Sequence, residues 1–468
     1  AASDVYKRQH KLWGFPIFFF LMWFMFWCTF SLGAYPQEWI DALVGWIGGA
    51  IDYMMPAGPL RDLLVDGIVG GVGAVIVFLP NIMILYLFIS FMEDSGYLAR
   101  AAFIMDRVMH RIGLHGKSFI PLIMGFGCNV PAIMACRTIE SRSSRLITIL
   151  ITPFMSCSAR IPIYLLLAGT FFAENAGLVM IGLYVLGVVL AVFTARLMRR
   201  FMFPVDETPF VMELPPYRLP TWKTTLRHMW DKCAQYLRKM GGMILVASVV
   251  VWFLSYYPRT DAGNTPEHYE NSYLGRLGRT CEPVFSPLGL NWKAGVALLS
   301  GVPAKEIIVS TLGVLYSEGA PAAAQPSGTI EIVAESGEMA DTAKLSINDL
   351  PNGKVAVIGG ADGPTAIYIA ETADGRPGLN PGTAAEDAAA DGDEETANLA
   401  RRLTASGDFT HASALAFLVF ILLYFPCIAT VAAIGSEAGW RWAVASVAYN
   451  TLLAWLAAWA VYHLVMWL

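Results

Sequence analysis

Long apolar runs separated by short polar connectors dominate the chain, and a membrane-crossing helix needs about 20 such residues. On that ruler a first span falls over 12–33, retained behind Lys7, Arg8 and Lys11, and an interfacial helix over 36–55. The apolar stretch 63–92 is too long for one straight span. With Pro80 and Asn81 near its middle, it predicts a kinked helix or two half-helices meeting there. Further spans are expected at 146–170, 177–198, 241–257, 411–434 and 443–467. The stretch 199–240, with Arg199, Arg200, Lys223, Arg227, Lys232, Arg238 and Lys239, reads as a basic cytoplasmic loop.

Two apolar stretches are interrupted in the same way. "IMGFGCNVPAIMACRTIE" (123–140) carries Gly125, Gly127, Cys128, Asn129 and Pro131, with basic residues on both sides. Basic flanks at both ends suit a re-entrant hairpin better than a full span. "LLSGVPAKEIIVSTLG" (298–313) repeats the theme, and each break is followed by an apolar helix carrying a Pro and a Cys: "PFMSCSARIP" (153–162) and "YFPCIATV" (424–431). Paired broken segments in two halves of a membrane protein point to a transport site near the midplane. The fold class is therefore all-α, a polytopic helical membrane protein with two repeats of interrupted or re-entrant helices. Its parts are 1–62 (first span and interfacial helix), 63–198 (first repeat), 199–240 (basic loop), 241–317 (start of the second repeat), 318–410 (insert) and 411–468 (helices completing the second repeat).

Composition agrees. Hydrophobic residues make up 56% of the 468 and charged residues 15%, against about 25% charged in soluble domains. Many of the 14 Trp stand at the ends of apolar runs, as interface anchors do. The net charge of −5 conceals an asymmetry: residues 318–410 hold 16 acidic and 5 basic residues, a local −11, which leaves +6 on the rest. That dispersed positive charge suits loops facing anionic lipid, whereas nucleic acid would require a concentrated stripe. The insert reads as largely flexible, with one ordered element at "GKVAVIGGADGPTAIYIAE" (353–371). Seven Cys include no C-x-x-C pair, so neither a disulfide framework nor a zinc knuckle is indicated.

Broken helices leave free carbonyls and half-helix C-terminal ends at membrane depth, and both attract cations. Cys128, Asn129, Ser156, Cys157, Cys427 and Glu306 add soft sulfur and polar oxygen, a donor set that favours a divalent transition metal over Na⁺ or Mg²⁺. The opposing reading is that buried Cys packs as a small hydrophobe. Glu306 is costly at membrane depth and so is a functional residue by default, or else half of an ion pair with Lys305. Glu93 and Asp94, at the end of a span, form a cation vestibule or a solvated helix end. Met124 and Met155 beside the breaks offer thioethers. The seven His show no H-x-x-x-H or E-x-x-H spacing, which argues against a His-based zinc hydrolase. Gly116-Lys117-Ser118 imitates the end of a phosphate-binding loop, but the Gly required at position 111 is Arg. No nucleotide engine is visible.

Taken together, "GFGCNVPAIMACRTIE", "PFMSCSARIPIY", "GVPAKEIIVSTLG" and "LLYFPCIATVAAI" closely resemble the membrane region of the FeoB family of ferrous iron transporters, over nearly all of 12–317 and 411–467. The resemblance implies two gate-type repeats in a multi-pass protein of the bacterial inner membrane that moves Fe²⁺ into the cytoplasm. It places Cys128, Cys157 and Cys427 where the family has Cys in its gate and pore segments. It implies a transporter domain, not an enzyme, with Fe²⁺ as cargo and no cofactor. GTP would act only through the family's N-terminal GTP-binding domain, which this chain lacks in the sequence as read. Expected partners are the bilayer, a separate GTP-binding domain, small accessory Feo proteins and further copies of the chain. Within the insert, "GGADGPTAIY" is similar to a motif of the beta subunits of sodium-pumping decarboxylases and marks Asp362 as a remote cation contact. The alternatives are a gate-type nucleoside or organic-ion carrier, and a scaffold subunit of an ion-translocating decarboxylase complex.

Overall fold

The structure, a computed structural model, describes residues 14–56, 58–202, 220–258, 266–316, 329–336, 339–346 and 398–467. The chain divides into two units, one of residues 1–315 with 407–468 and one of 316–406. The larger unit is helical throughout its described residues. In the smaller, Thr329–Ser336 pairs antiparallel with Met339–Ser346. The ordered element expected at 353–371, and Asp362 with it, lies outside the described residues.

Five helical stretches are long and apolar enough to cross a membrane: Arg142–Phe171, Ala173–Phe201, Trp222–Tyr256, His411–Glu437 and Trp440–Trp467. They sort by burial. Arg142–Phe171 and His411–Glu437 bury 72% and 83% of their apolar windows, whereas the other three bury 17%, 6% and 22%. The two buried stretches are the ones whose helices are broken. Unpaired backbone at membrane depth is tolerated only inside protein, so the continuous helices form the periphery and leave Leu178, Ile181, Phe193 and Val246 outward.

Three expectations need correction. The span at 12–33 and the interfacial helix at 36–55 are one helix, Gly14–Met54, running through Pro36. At 41 residues it is roughly 60 Å long, about twice the hydrocarbon thickness. Its start exposes Phe20, Trp23, Phe24, Trp27 and Phe30, and its far half exposes Trp39, Trp46 and Tyr53. Second, the basic stretch 199–240 is not a loop throughout: Trp222–Tyr256 is one helix of 35 residues, so the expected span at 241–257 continues a basic helical start. Third, 146–170 and 411–434 are not straight spans but pairs of shorter helices, Arg142–Ile151 with Ile161–Phe171 and His411–Leu423 with Ile428–Glu437. Pro153, Pro162 and Pro426 sit in or beside these interruptions, where a missing N–H stops the helical ladder.

The stretch 63–92 is two-part, as its Pro80 suggests. A π-helical turn Leu63–Val69 leads into Gly70–Val77, and Leu79–Asp94 starts anew after Phe78 with Pro80 in its first turn. Asn81 Nδ2 donates to Gln37 Oε1 at 2.9 Å, holding that junction against the first helix.

Candidate functional site

Four breaks define the candidate site, two in each repeat. In the first, helices Phe119–Gly127 and Asn129–Ala135 are separated by one extended residue, Cys128 (φ −151°, ψ 130°). In the second, the helix ending at Ile151 passes through the 3₁₀ turn Thr152–Phe154, the extended residues Met155 and Cys157, and the 3₁₀ turn Ser158–Arg160. Helix resumes at Ile161.

Several backbone carbonyls near these breaks accept from specific side chains. Ser158 Oγ donates to the carbonyl of Gly127 at 3.0 Å, tying the second break to the first. Asn129 is 4% exposed. With its amide NH₂ turned toward Gly125 and Thr152, as the acceptors there require, it donates to both carbonyls at 3.1 and 3.3 Å. Arg160, fully buried, donates to the carbonyls of Met155 and Pro153, both at 3.2 Å. A guanidinium with its rigid fork suits two carbonyls of one unwound loop.

The second repeat solves the same problem with different residues. Helix Trp292–Ser300, capped by the Asn291 side chain on Ala294 N–H, ends at Gly301, and Ile307–Leu315 follows six residues later. Helix His411–Leu423, started by a Thr410/Ser413 capping box, ends at Tyr424, and Cys427 caps the next helix. The Ile428 N–H donates to the Val302 carbonyl at 3.1 Å. Lys305 Nζ donates to the Phe425 carbonyl at 3.0 Å and lies 3.0 Å from the centre of the Tyr424 ring.

The thiols stand singly, at three of the four breaks. Cys427 Sγ is 3.2 Å from Thr430 Oγ1. Cys128 and Cys427 both pack on one apolar cluster that includes Val130, Ile133, Ala429 and Ala433. Among the described residues, no three His, Cys, Asp or Glu side chains are close enough to hold one metal ion together.

The remaining expected site residues divide. Ser156, buried, donates to Tyr164 OH at 3.2 Å. Glu306 precedes the helix Ile307–Leu315, where the N-terminal dipole favours a carboxylate. Its expected pairing with Lys305 is replaced by the contacts of Lys305 with Phe425 and Tyr424. Glu93 and Asp94 are bound to the helix Trp222–Tyr256: Glu93 to Lys232 at 2.6 Å, Asp94 to His228 at 3.1 Å and Thr225 at 3.3 Å. Glu93 nevertheless lines an open cavity of about 770 Å³ that reaches Met124, Pro131 and Met134 at the first break. Asp94 does not line it. Sequence reasoning missed Arg160 and Tyr424. An arginine in the apolar "CSARIPIY" was the available signal, since a buried charge demands a partner.

Comparison with known proteins decides the family. Residues 75–171 and 237–441 match the Gate family, described as "Nucleoside recognition", and 180–232 match the C-terminal region of ferrous iron transport protein B. The chain belongs to the Gate family, as the membrane part of a FeoB-type protein. It is 48% identical, over 97% of its length and 50% of the relative's, to an Fe(2+) transport protein A/Fe(2+) transporter FeoB fusion protein of Porphyromonas gingivalis. It is 47% identical to an Fe(2+) transporter FeoB of Campylobacter jejuni, over 66% of this chain and 52% of that one. A Staphylococcus aureus Fe(2+) transporter FeoB is 37% identical over 97% of this chain and 57% of its own. The Gate-type chain thus spans about half the length of the curated relatives it matches. No solved structure matches it. The Gate match brackets all four breaks.

Proposed function

We propose that this Gate-type domain conducts Fe²⁺ across the bacterial inner membrane toward the cytoplasm, along a path that passes the sulfurs of Cys128, Cys157 and Cys427. The observation that carries the reading is the placement of one thiol at each of three helix breaks, two of them within the stretches that bury most of their apolar windows. Soft sulfur and exposed carbonyl oxygen select a borderline divalent ion over alkali or alkaline-earth ions. Single sulfurs in succession suit conduction, which requires binding strong enough to admit the ion and weak enough to release it.

In this mechanism the ion loses water on entering the buried breaks and passes between sulfurs as the short helices shift. Asn129 and Ser156 serve by positioning, because their polar atoms already hold Gly125, Thr152 and Tyr164. Glu306 supplies negative charge beside the second hairpin. Glu93 lines the cavity that opens from the first break, and Asp94 secures the helix end next to it. Names of the relatives support Fe²⁺ as cargo, and the fusion relative supports a small accessory partner of the Feo type. A GTP-binding domain elsewhere in the whole protein would supply GTP chemistry. Copies of the chain would associate through its peripheral helices.

The test is anaerobic Fe²⁺ uptake into liposomes holding the purified chain, parent against a folded Cys128→Ser/Cys157→Ser/Cys427→Ser variant. Uptake at least tenfold lower in the variant is expected. Equal uptake in both removes the thiols from the path.

A further inference from the structure

Lys305 is the most deeply placed amine in the second repeat, 2% exposed. Its Nζ meets three groups that attract cations: the Phe425 carbonyl at 3.0 Å, the face of Tyr424 at 3.0 Å from the ring centre, and Phe425 at 5.6 Å. The Tyr424 hydroxyl is also buried and has no hydrogen-bond partner among the described residues. It lies 3.1 Å from where a Cβ on Gly301 would stand, at the C-terminal end of helix Trp292–Ser300. A helix C-terminus, the Phe425 carbonyl, a ring face and an unfilled hydroxyl make a position for a positive charge.

We propose that the Lys305 ammonium is a tethered cation occupying the ion position of the second broken hairpin, which a divalent ion enters only by displacing it. This rests on the conduction reading above. The two repeats differ here in a telling way. Arg160 binds two carbonyls of its own loop, at Met155 and Pro153, through a rigid planar group. Lys305 instead reaches from one break to the carbonyl of another segment, on a flexible four-carbon stem. The first cation is a structural brace and the second is free to leave its carbonyl when that segment moves. Cys427 follows Phe425 by two positions, so a thiophilic ion gains a sulfur where a monovalent alkali ion gains nothing. The tether thereby holds the path shut to weakly bound ions and yields to a thiophilic divalent one.

Lys305→Met preserves length and removes the charge, and Lys305→Gln is a second neutral variant should the first fail to fold. Anaerobic Co²⁺ titration of the full purified chain, read by equilibrium dialysis, is expected to show binding at least tenfold tighter in either neutral variant than in the parent. Lys305→Arg should bind as the parent does. Unchanged affinity in the neutral variants, no Co²⁺ binding by them, or Lys305→Arg binding as tightly as they do overturns the proposal. Failure of the thiol path would show separately, as unaltered Fe²⁺ uptake in the triple Cys variant.

Discussion

The backbone N–H of Ile428 donates to the carbonyl of Val302 at 3.1 Å, across two segments far apart in the chain. The first repeat has a counterpart in Ser158, whose hydroxyl donates to the Gly127 carbonyl at 3.0 Å. Each broken hairpin is therefore fastened to its broken partner by hydrogen bonds to carbonyls at the breaks. The Ile428 bond is backbone to backbone, whereas the Ser158 bond comes from a side chain and can be cut by substitution.

Ser158→Ala leaves the Gly127 carbonyl unsatisfied in a buried setting, a loss of about 1–3 kcal/mol. Thermal unfolding in detergent should show a lowered midpoint for Ser158→Ala and a near-parental one for Ser158→Thr. A parental midpoint for the alanine variant would mean that the bond contributes nothing.

Gly125 lies at a close approach of the first break to the second, since an added Cβ would stand 2.9 Å from Met155 Cβ. Gly125→Ala overpacks that contact and should cost about 1–3 kcal/mol. Gly177→Ala, in open space, is the control and should leave the unfolding midpoint unchanged.

Arg137 and Glu437 connect the end of the first hairpin to the helix Ile428–Glu437, with Nε donating to Oε2 at 2.6 Å and a second guanidinium contact to Oε1. The arginine is 46% exposed, so screening limits the pair to about 1 kcal/mol or less. A double-mutant cycle of Arg137→Gln and Glu437→Gln should give a coupling of that size that shrinks as salt rises.

His115 lies in the connector before Phe119, where its Nδ1 accepts the Lys117 N–H at 3.1 Å. Burial, and then the Lys117 charge, hold its pKa below the ordinary histidine value. The folded state thus favours the neutral ring. Its contribution is full above the ordinary value of about 6.5 and is lost as pH falls below it toward the lowered folded value. Amide exchange at Lys117, corrected for intrinsic rate, should keep its protection above about pH 6.5 and lose it as pH falls below that value in the parent. His115→Asn, which keeps an acceptor but does not titrate, should not show the change.

How much of this was legible depends on what a residue type reveals about backbone. The breaks at Cys128 and Gly301 were readable because Gly, Asn and Pro cluster there, and so was the division at Phe78 beside Pro80. The breaks at 152–160 and 424–427 passed as spans, because apolar content measures transfer to lipid and not whether carbonyls have helical partners. Pro36 looked like an end but is carried inside Gly14–Met54. The basic run 222–240 looked like a loop because charge was weighed before periodicity. From the sequence, an ion pair of Lys305 with its neighbour Glu306 is only the alternative to a functional Glu306. The fold sends Lys305 instead to Phe425, a contact invisible without the tertiary arrangement. The Gate and iron-transporter resemblance was carried by the four motifs and agrees with the matched families.

The central claim is that iron meets these thiols, and the direct measurement is X-ray absorption of the purified chain loaded anaerobically with Fe²⁺. The account predicts sulfur bound to the iron in the parent, reduced in Cys157→Ser/Cys427→Ser. A spectrum of oxygen and nitrogen neighbours alone, identical in parent and variant, would contradict it.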